Sequence, residues 1–348
     1  QEGRAAGADF VALPEMFITG YNTQDLIMKP AFARDAMAHI EALMAETADG
    51  PALGIGGPLL QDGKLFNAYH VLKNGRLVRQ VLKHHLPNET VFDEVRLYEP
   101  GPIAGPYDLG ILRVGTPICE DAWHEDVPEA LSESGAEVIL VPNGSPYYRN
   151  KYDTRLNHMV SRVVETGLPL IYLNMVGGQD DQVFDGGTFV LNPGGELALR
   201  LPLFDEVIAH VDFEETDAGW RAVPAGIAAF PDEWEQDYQV MVLSLRDYFR
   251  KTGFKKAVLG LSGGIDSAIV ATIAADALGP ENVRCVMLPS QYTSQASLDD
   301  AGEVARNLGT RLDTVSIKDP VGAVNDTLAE VFEGTEPGLT EENIQSRL

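Results

Sequence analysis

Two stretches of this chain hold residues fit for chemistry. The first is Gly115-Thr116-Pro117-Ile118-Cys119-Glu120-Asp121-Ala122-Trp123, where the apolar run from Leu109 to Ile118 ends on one of only two cysteines and acids follow at once. Read as a strand with a thiol at its tip, it offers a nucleophile. A thiol is mostly protonated near neutrality, so it needs a base, and a carbonyl under attack needs donors for its developing oxyanion. Glu15, in Leu-Pro-Glu-Met-Phe, stands at the end of the apolar strand expected over Asp9 to Leu13, and Lys83 stands where a later hairpin ends. The second stretch is Gly260-Leu261-Ser262-Gly263-Gly264-Ile265-Asp266-Ser267, set between a strand pattern and a helix pattern. Its glycines let backbone N–H groups turn inward, the helix behind presents its positive end, and Ser262 and Ser267 add hydroxyl donors, which together make an anion site. Asp266 would repel a phosphate unless Mg²⁺ lay between them, so metal binding is its natural role. The stretch matches neither the kinase-type phosphate loop nor the dinucleotide fingerprint.

Each residue alone has a plainer role. Cys119 would be a small buried hydrophobe, Glu15 a salt-bridge partner, Lys83 a solvated strand end and the glycines a serine-capped turn. Their order and flanking context favour chemistry. Cys285, in Val-Arg-Cys-Val-Met-Leu, reads as core, and the adjacent His84 and His85 are expected to point apart, with no acid or cysteine set to complete a metal site.

The elements that must carry these groups follow from periodicity. Helical spacing covers Ala31 to Thr47, a strand follows over Ala52 to Leu60, and alternating residues on either side of Asn74-Gly75 predict a hairpin from Phe66 to Lys83. The loop from His84 to Glu94 holds more polar and aromatic side chains than a core requires. Next come a strand ending at Cys119, a helix over Val127 to Ser134, a strand over Glu137 to Val141 and a helix from Lys151 to Thr166. Strands over Leu168 to Val176, Gly186 to Leu191, Glu196 to Leu201 and Val207 to Val211 complete a layered α/β sandwich. Residues 214–232, rich in acids, Ala, Gly and Pro, read as a linker between a domain over 1–213 and one over 233–348. Beyond it, strand and helix alternate as in a parallel, Rossmann-like sheet.

The 348 residues with 45% hydrophobic content suffice for two cores, and 26 basic against 52 acidic residues give a formal charge of −26. That balance argues against sequence-independent binding to nucleic acid or anionic membrane. Small molecules and sibling subunits are the expected partners. The cysteines fall in different domains, so no disulfide framework is expected and a reducing cytoplasm fits. No membrane span or signal peptide is expected. Gln1 to Gly7 looks like the end of a helix and Thr340 to Leu348 like the start of one, so both ends are expected to be cut.

On these residues the N-terminal part resembles the nitrilase (carbon–nitrogen hydrolase) superfamily, whose Glu, Lys and Cys match Glu15, Lys83 and Cys119. The resemblance implies an αββα sandwich in which Cys119 attacks a carboxamide, Glu15 moves its proton, and Lys83 with the Glu120 backbone N–H receives the oxyanion. The downstream loop resembles that of the N-type ATP pyrophosphatases, which adenylate a substrate carbonyl and release pyrophosphate. The two joined resemble the glutamine-dependent NAD synthetase family. Leu86-Pro-Asn, Val91-Phe-Asp-Glu94, Ser145-Pro-Tyr147 with Lys151 and Arg155, and Leu288 to Ser294 with Ser297 and Asp300-Ala301 are similar to its motifs. The family implies glutamine on Ser145 and Lys151, with Glu89 where many members carry an aromatic substrate contact. It also implies ATP on Gly260 to Ser267 with Mg²⁺ at Asp266, and ammonia passing internally to adenylated deamido-NAD in a homo-oligomer. Its synthetase domain runs beyond the last residue here, so the second domain is expected to be incomplete. The alternatives are a free-standing amidase with a nucleotide-binding regulatory module, and a non-catalytic assembly protein.

Overall fold

The computed structural model describes all residues except 335–337, 340–342, 345–346 and 348. The helix start expected over Thr340 to Leu348 lies largely outside the described residues. The chain divides into two units, Gln1–Gln236 and Asp237–Leu348.

The first unit is built on two sheets. Four strands lie in chain order, Phe10–Ala12, Ala52–Gln61, Lys64–Lys73 and Arg76–Leu82, the first pair parallel and the others antiparallel. Asn74 and Gly75 both adopt positive φ, 51° and 68°, as a two-residue hairpin turn requires. The second sheet runs Glu196–Arg200, Phe189–Asn192, Leu170–Asn174, Val138–Asn143, Arg113–Gly115, Tyr107–Asp108. Tyr69, Val71 and Val81 of the first sheet meet Val114 and Leu140 of the second in a shared core. The opposite faces carry helices. Ile40 of Pro30–Glu46 packs on Leu53, Ile55 and Leu72. Val127 and Leu131 of Asp126–Glu133, with Met159 and Val163 of Lys151–Thr166, pack on Ile139, Val141 and Tyr172. The layers are therefore helix, sheet, sheet, helix, and Val138–Asn143 is buried along its whole length because both its faces are covered.

Three expected elements differ. The run into Cys119 is not one strand: Gly110 at φ 87° turns the chain between Tyr107–Asp108 and Arg113–Gly115, which pair antiparallel. Residues 207–211 form no strand. Part of the expected linker is a hairpin, Phe213–Thr216 with Gly219–Ala222, and Ala222 and Phe213 pack on Val190 and Leu199.

The second unit holds a three-stranded parallel sheet, Ala257–Gly260, Val283–Met287, Arg311–Thr314, crossed by the helices Ile265–Leu278 and Gln295–Leu308. Its core gathers Leu261, Ala271, Ala274, Val283, Cys285, Ala301 and Ala305. Cys285 is thus core, as expected. Among the described residues, no helix is long and apolar enough to cross a membrane.

Candidate active site

Glu15 sits in the turn after the first strand, and the chain there passes so close to Gly56 that a Cβ on Gly56 would meet Met16 N at 2.3 Å. This contact fixes the turn and leaves Glu15 fully buried. Its Oε1 accepts from Lys83 Nζ at 2.7 Å and from Asn67 Nδ2 at 2.8 Å, and its Oε2 accepts from the Gly144 backbone N–H at 2.7 Å. Lys83 lies just past Arg76–Leu82, also fully buried, with its backbone held by Asn67 and Gly101. Its ammonium reaches a second carboxylate, Glu94 Oε2, at 2.8 Å.

Glu94 opens the short helix Glu94–Leu97 and is likewise buried. Its Oε1 accepts from Asn67 Nδ2 at 2.8 Å and from Tyr21 Oη at 3.0 Å. One amide nitrogen thus bridges the two carboxylates, and one ammonium lies between them. Each of these hydrogen-bond and ion-pair partners of the two carboxyls is a donor, the arrangement that suits carboxylate oxygens. Burial raises the pKa of Glu94, with the Lys83 ammonium opposing. Burial alone would lower Lys83, but Glu15 and Glu94 outweigh it and hold the ammonium well above the usual lysine range.

Cys119 is the first residue of a 3₁₀ turn, Cys119–Ala122, and takes a φ of 47°, an unusual conformation for a residue with a side chain. Burial pushes its thiol well up, Glu15 is the strongest charge acting in the same direction, and Lys83 opposes them. The resting side chain is therefore a thiol, which would have to give its proton to a base before it could attack a carbonyl. Asp121, buried in the same turn, ties the site together. Its Oδ2 accepts from Ile118 N at 3.0 Å, and its Oδ1 accepts from His84 N at 3.0 Å and His85 N at 2.7 Å. One carboxylate so joins the segment before Cys119 to the segment after Lys83.

Among the expected substrate contacts, Ser145 is buried beside the cluster, its neighbour Gly144 donating to Glu15. Its Oγ accepts from Arg155 Nε at 3.1 Å, and Arg155 forks onto Asp185 at 2.8 Å through both terminal nitrogens. Lys151 places its ammonium over the rings of Trp123, at 4.4 Å, and Tyr148, at 4.5 Å. Glu89 is exposed on the loop and makes no side-chain hydrogen bond or ion pair among the described residues, so the structure does not bring it to the cluster. Glu94, Asn67 and Tyr21 were not expected as site residues, although Glu94 lies within a quoted motif.

The histidine pair corrects an expectation. Because both backbone N–H groups bind Asp121, the chain bends at His85 and the side chains do not alternate as on a strand. The rings meet edge to face with centroids 4.7 Å apart, and His85 Nε2 lies 2.9 and 3.0 Å from the Asp126 oxygens.

In the second unit, the loop leaves Ala257–Gly260 and enters Ile265–Leu278 with Gly264 as its cap. Gly263 has φ 79°, and a Cβ there would lie 2.4 Å from Ser297 O, so glycine is required. The serine hydroxyls mainly shape the turn. Ser267 Oγ accepts from Ser262 N at 3.2 Å and donates to Gly264 O at 2.9 Å, while Ser262 Oγ lies 3.2 Å from Ser267 Oγ. Asp266 is exposed in the first helical turn without an ion pair among the described residues. This hard oxygen donor beside first-turn amides fits Mg²⁺ shared with phosphate.

The carbon-nitrogen hydrolase family model matches residues 1–221. The chain belongs to that family. The model for NAD synthase matches residues 237–348. A glutamine-dependent NAD(+) synthetase of Rhodobacter capsulatus is 64% identical over 348 residues, which are 100% of this chain and 63% of that protein. One of Thermotoga maritima is 35% identical, covering 98% of this chain and 65% of its own length. The solved structure of glutamine-dependent NAD+ synthetase from Acinetobacter baumannii, in complex with ADP, superposes with a TM-score of 0.93 at 34% identity, over 99% of this chain and 65% of that one. This member of the carbon-nitrogen hydrolase family thus spans under two thirds of the length of these relatives.

Proposed function

We propose that the chain forms the glutaminase unit and the first part of the synthetase unit of a glutamine-dependent NAD synthetase. The observation that carries this is the buried Glu15–Lys83–Glu94 cluster around the Cys119 turn, joined in one chain to a glycine loop at a helix start. Cys119 gives its proton to Glu15 and attacks the carboxamide carbon of glutamine. The oxyanion is received by the Lys83 ammonium and the Glu120 backbone N–H. Glu15 returns the proton to the departing ammonia, then takes one from the water that cleaves the thioester and passes it to the leaving Cys119 sulfur, so that glutamate is released and the thiol and carboxylate are restored. Ser145 and Lys151 hold the rest of glutamine. ATP is held on Gly260 to Ser267, with Asp266 as the chain's ligand for Mg²⁺, which neutralises charge on the phosphates. Ammonia then amidates deamido-NAD activated as its adenylate, with AMP and pyrophosphate released.

The test supplies glutamine, ATP, Mg²⁺ and deamido-NAD to the protein that carries this sequence. NAD, AMP and pyrophosphate are expected, and Cys119→Ala should abolish synthesis from glutamine. Absence of NAD even with free ammonia supplied overturns the synthetase. Glutaminase activity indifferent to ATP and deamido-NAD would instead identify an amidase with a nucleotide-binding module.

A further inference from the structure

We propose that His84, His85 and Asp126 form a surface site for a divalent transition-metal ion of the zinc class. The site is distinct from Asp266 and its nucleotide metal. Donor atoms of the three residues all lie within 4.8 Å of one another. Ligands about 2.1 Å from a zinc-class ion sit no more than about 4.2 Å apart, so small side-chain rotations close the set. His85 Nε2 and the Asp126 oxygens, at 2.9 and 3.0 Å, already stand at the separation of two ligands sharing an ion.

The tautomer of His84 is the independent observation. Its Nδ1 lies 2.7 Å from the Gly101 carbonyl oxygen, which can only accept. Nδ1 therefore carries the hydrogen, and in the neutral ring the Nε2 lone pair stays available, the outer-shell pattern of metal-binding histidines. The framework is held as well. Asp121 fixes the backbone of both histidines, and Asp126 Oδ1 accepts from Val127 N at 2.9 Å at the start of its helix. His124 stacks on His85 with centroids 4.0 Å apart, and the surface beyond forms an open depression lined by Trp123, His124, Glu125, Asp126 and Arg162. Arg162 and Lys151 bring positive charge to this depression; Arg162 pairs with Glu165 at 2.8 Å, and the Lys151 ammonium lies over the Trp123 ring at 4.4 Å.

Two imidazoles and one carboxylate select Zn²⁺, Co²⁺ or Ni²⁺ over Mg²⁺ and Ca²⁺, which prefer all-oxygen sets. The ion replaces the proton between His85 Nε2 and Asp126. A neutral ring then carries its proton on Nδ1, and an imidazolium releases one to solvent. Once bound, the ion links the segment after Lys83 to the helix after Cys119.

Co²⁺ is the probe. Titrated into the protein, it should bind one-to-one with visible d–d absorption, and excess Mg²⁺ should leave the signal in place. His84→Ala and the isosteric Asp126→Asn should each weaken binding by about 10–100-fold or more, since loss of even an outer-shell partner has that effect. His39→Ala, at an exposed histidine on another helix, should not. Metal-free melting curves identify folded variants, and Asp126→Asn, which keeps the shape of the side chain, serves if His84→Ala does not fold. Absence of the absorption, displacement by Mg²⁺, or undiminished binding in folded Asp126→Asn overturns the proposal.

Discussion

Asp121→Asn isolates the tie between the two arms of the candidate active site. The native carboxylate accepts three backbone N–H bonds, two from His84 and His85 and one from Ile118. An amide offers one oxygen. If that oxygen stays on His84 and His85, its NH₂ group faces the Ile118 N–H donor to donor, and the arm leading to Cys119 is released while the arm from Lys83 is kept. A hydrogen bond to a charged acceptor contributes about 1.5–3 kcal/mol. Against this, burial raises the pKa of Asp121. For an acid with its folded pKa above its unfolded one, ionisation opposes folding, and that cost is absent below the unfolded pKa and fully present above the folded one. Asparagine removes it. The two effects oppose each other, so the stability lost, read from the melting temperature, should stay below the about 1.5–3 kcal/mol of the bond alone. Activity should suffer more, because Ile118 sets the turn in which Cys119 holds φ 47°, and a displacement of about 1 Å in a reacting group costs about 100-fold. Ammonia release from glutamine should show kcat down by about 100-fold with KM little changed. A folded Asp121→Asn protein with native kcat, or a defect confined to KM, refutes the role of the tie.

Lys83→Met leaves Glu15 and Glu94 buried without their ammonium and should destabilise the protein by about 3–5 kcal/mol; recovery of stability but not of glutaminase activity in Glu15→Gln/Lys83→Met, read by denaturant titration, separates the charge effect from catalysis. Gly263→Ala forces a Cβ against Ser297 O at a positive φ and should weaken ATP binding measured by calorimetry; unchanged affinity would remove the loop from the nucleotide site. Burial lowers His70 from 6.5 to about 4. Its contribution is full above the unfolded pKa and falls with pH toward the folded one, so about 2 kcal/mol should vanish between about pH 7 and pH 5, and His70→Gln should lose correspondingly less over that interval.

What was legible depended on whether a residue's neighbours in sequence were also its neighbours in space. The hairpin over residues 64–82 was plain, since Asn74-Gly75 and the alternation on either side are local. Glu15, Lys83 and Cys119 were legible as residues beside strand ends. Glu94 was not singled out, because it opens a four-residue helix after an irregular loop, and its burial comes from Tyr21, Asn67 and Lys83, all distant in sequence. Asn67 looks like an ordinary polar residue in an alternating strand. The hairpin over 213–222 was hidden because Glu214 and Glu215 face solvent, so its composition reads as linker while Phe213 and Ala222 face the core. The histidine pair was misjudged because the bend at His85 is imposed by Asp121, a residue from another segment.

The sharing of one ammonium between two carboxylates has a purpose in the proposed reaction. With Glu15 and Glu94 anionic, Lys83 cationic and the Cys119 thiol neutral, the cluster carries one net negative charge. Passing the thiol proton to Glu15 keeps that total, so no new charge is created in a buried site where new charge is costly. The transfer does redirect Lys83. While Glu15 is ionised it competes for the ammonium at 2.7 Å, and once protonated it competes far less. The ammonium is then free to attract the negative charge that moves from sulfur to the carbonyl oxygen. Glu94 holds its own charge with bonds from Asn67 and Tyr21, keeps Lys83 protonated throughout, and stays out of the proton relay. In the proposed reaction the two carboxylates, though both hold Lys83 and Asn67, thus divide the work: Glu15, held from the Gly144 backbone, takes the proton, and Glu94, held by Tyr21, keeps its charge.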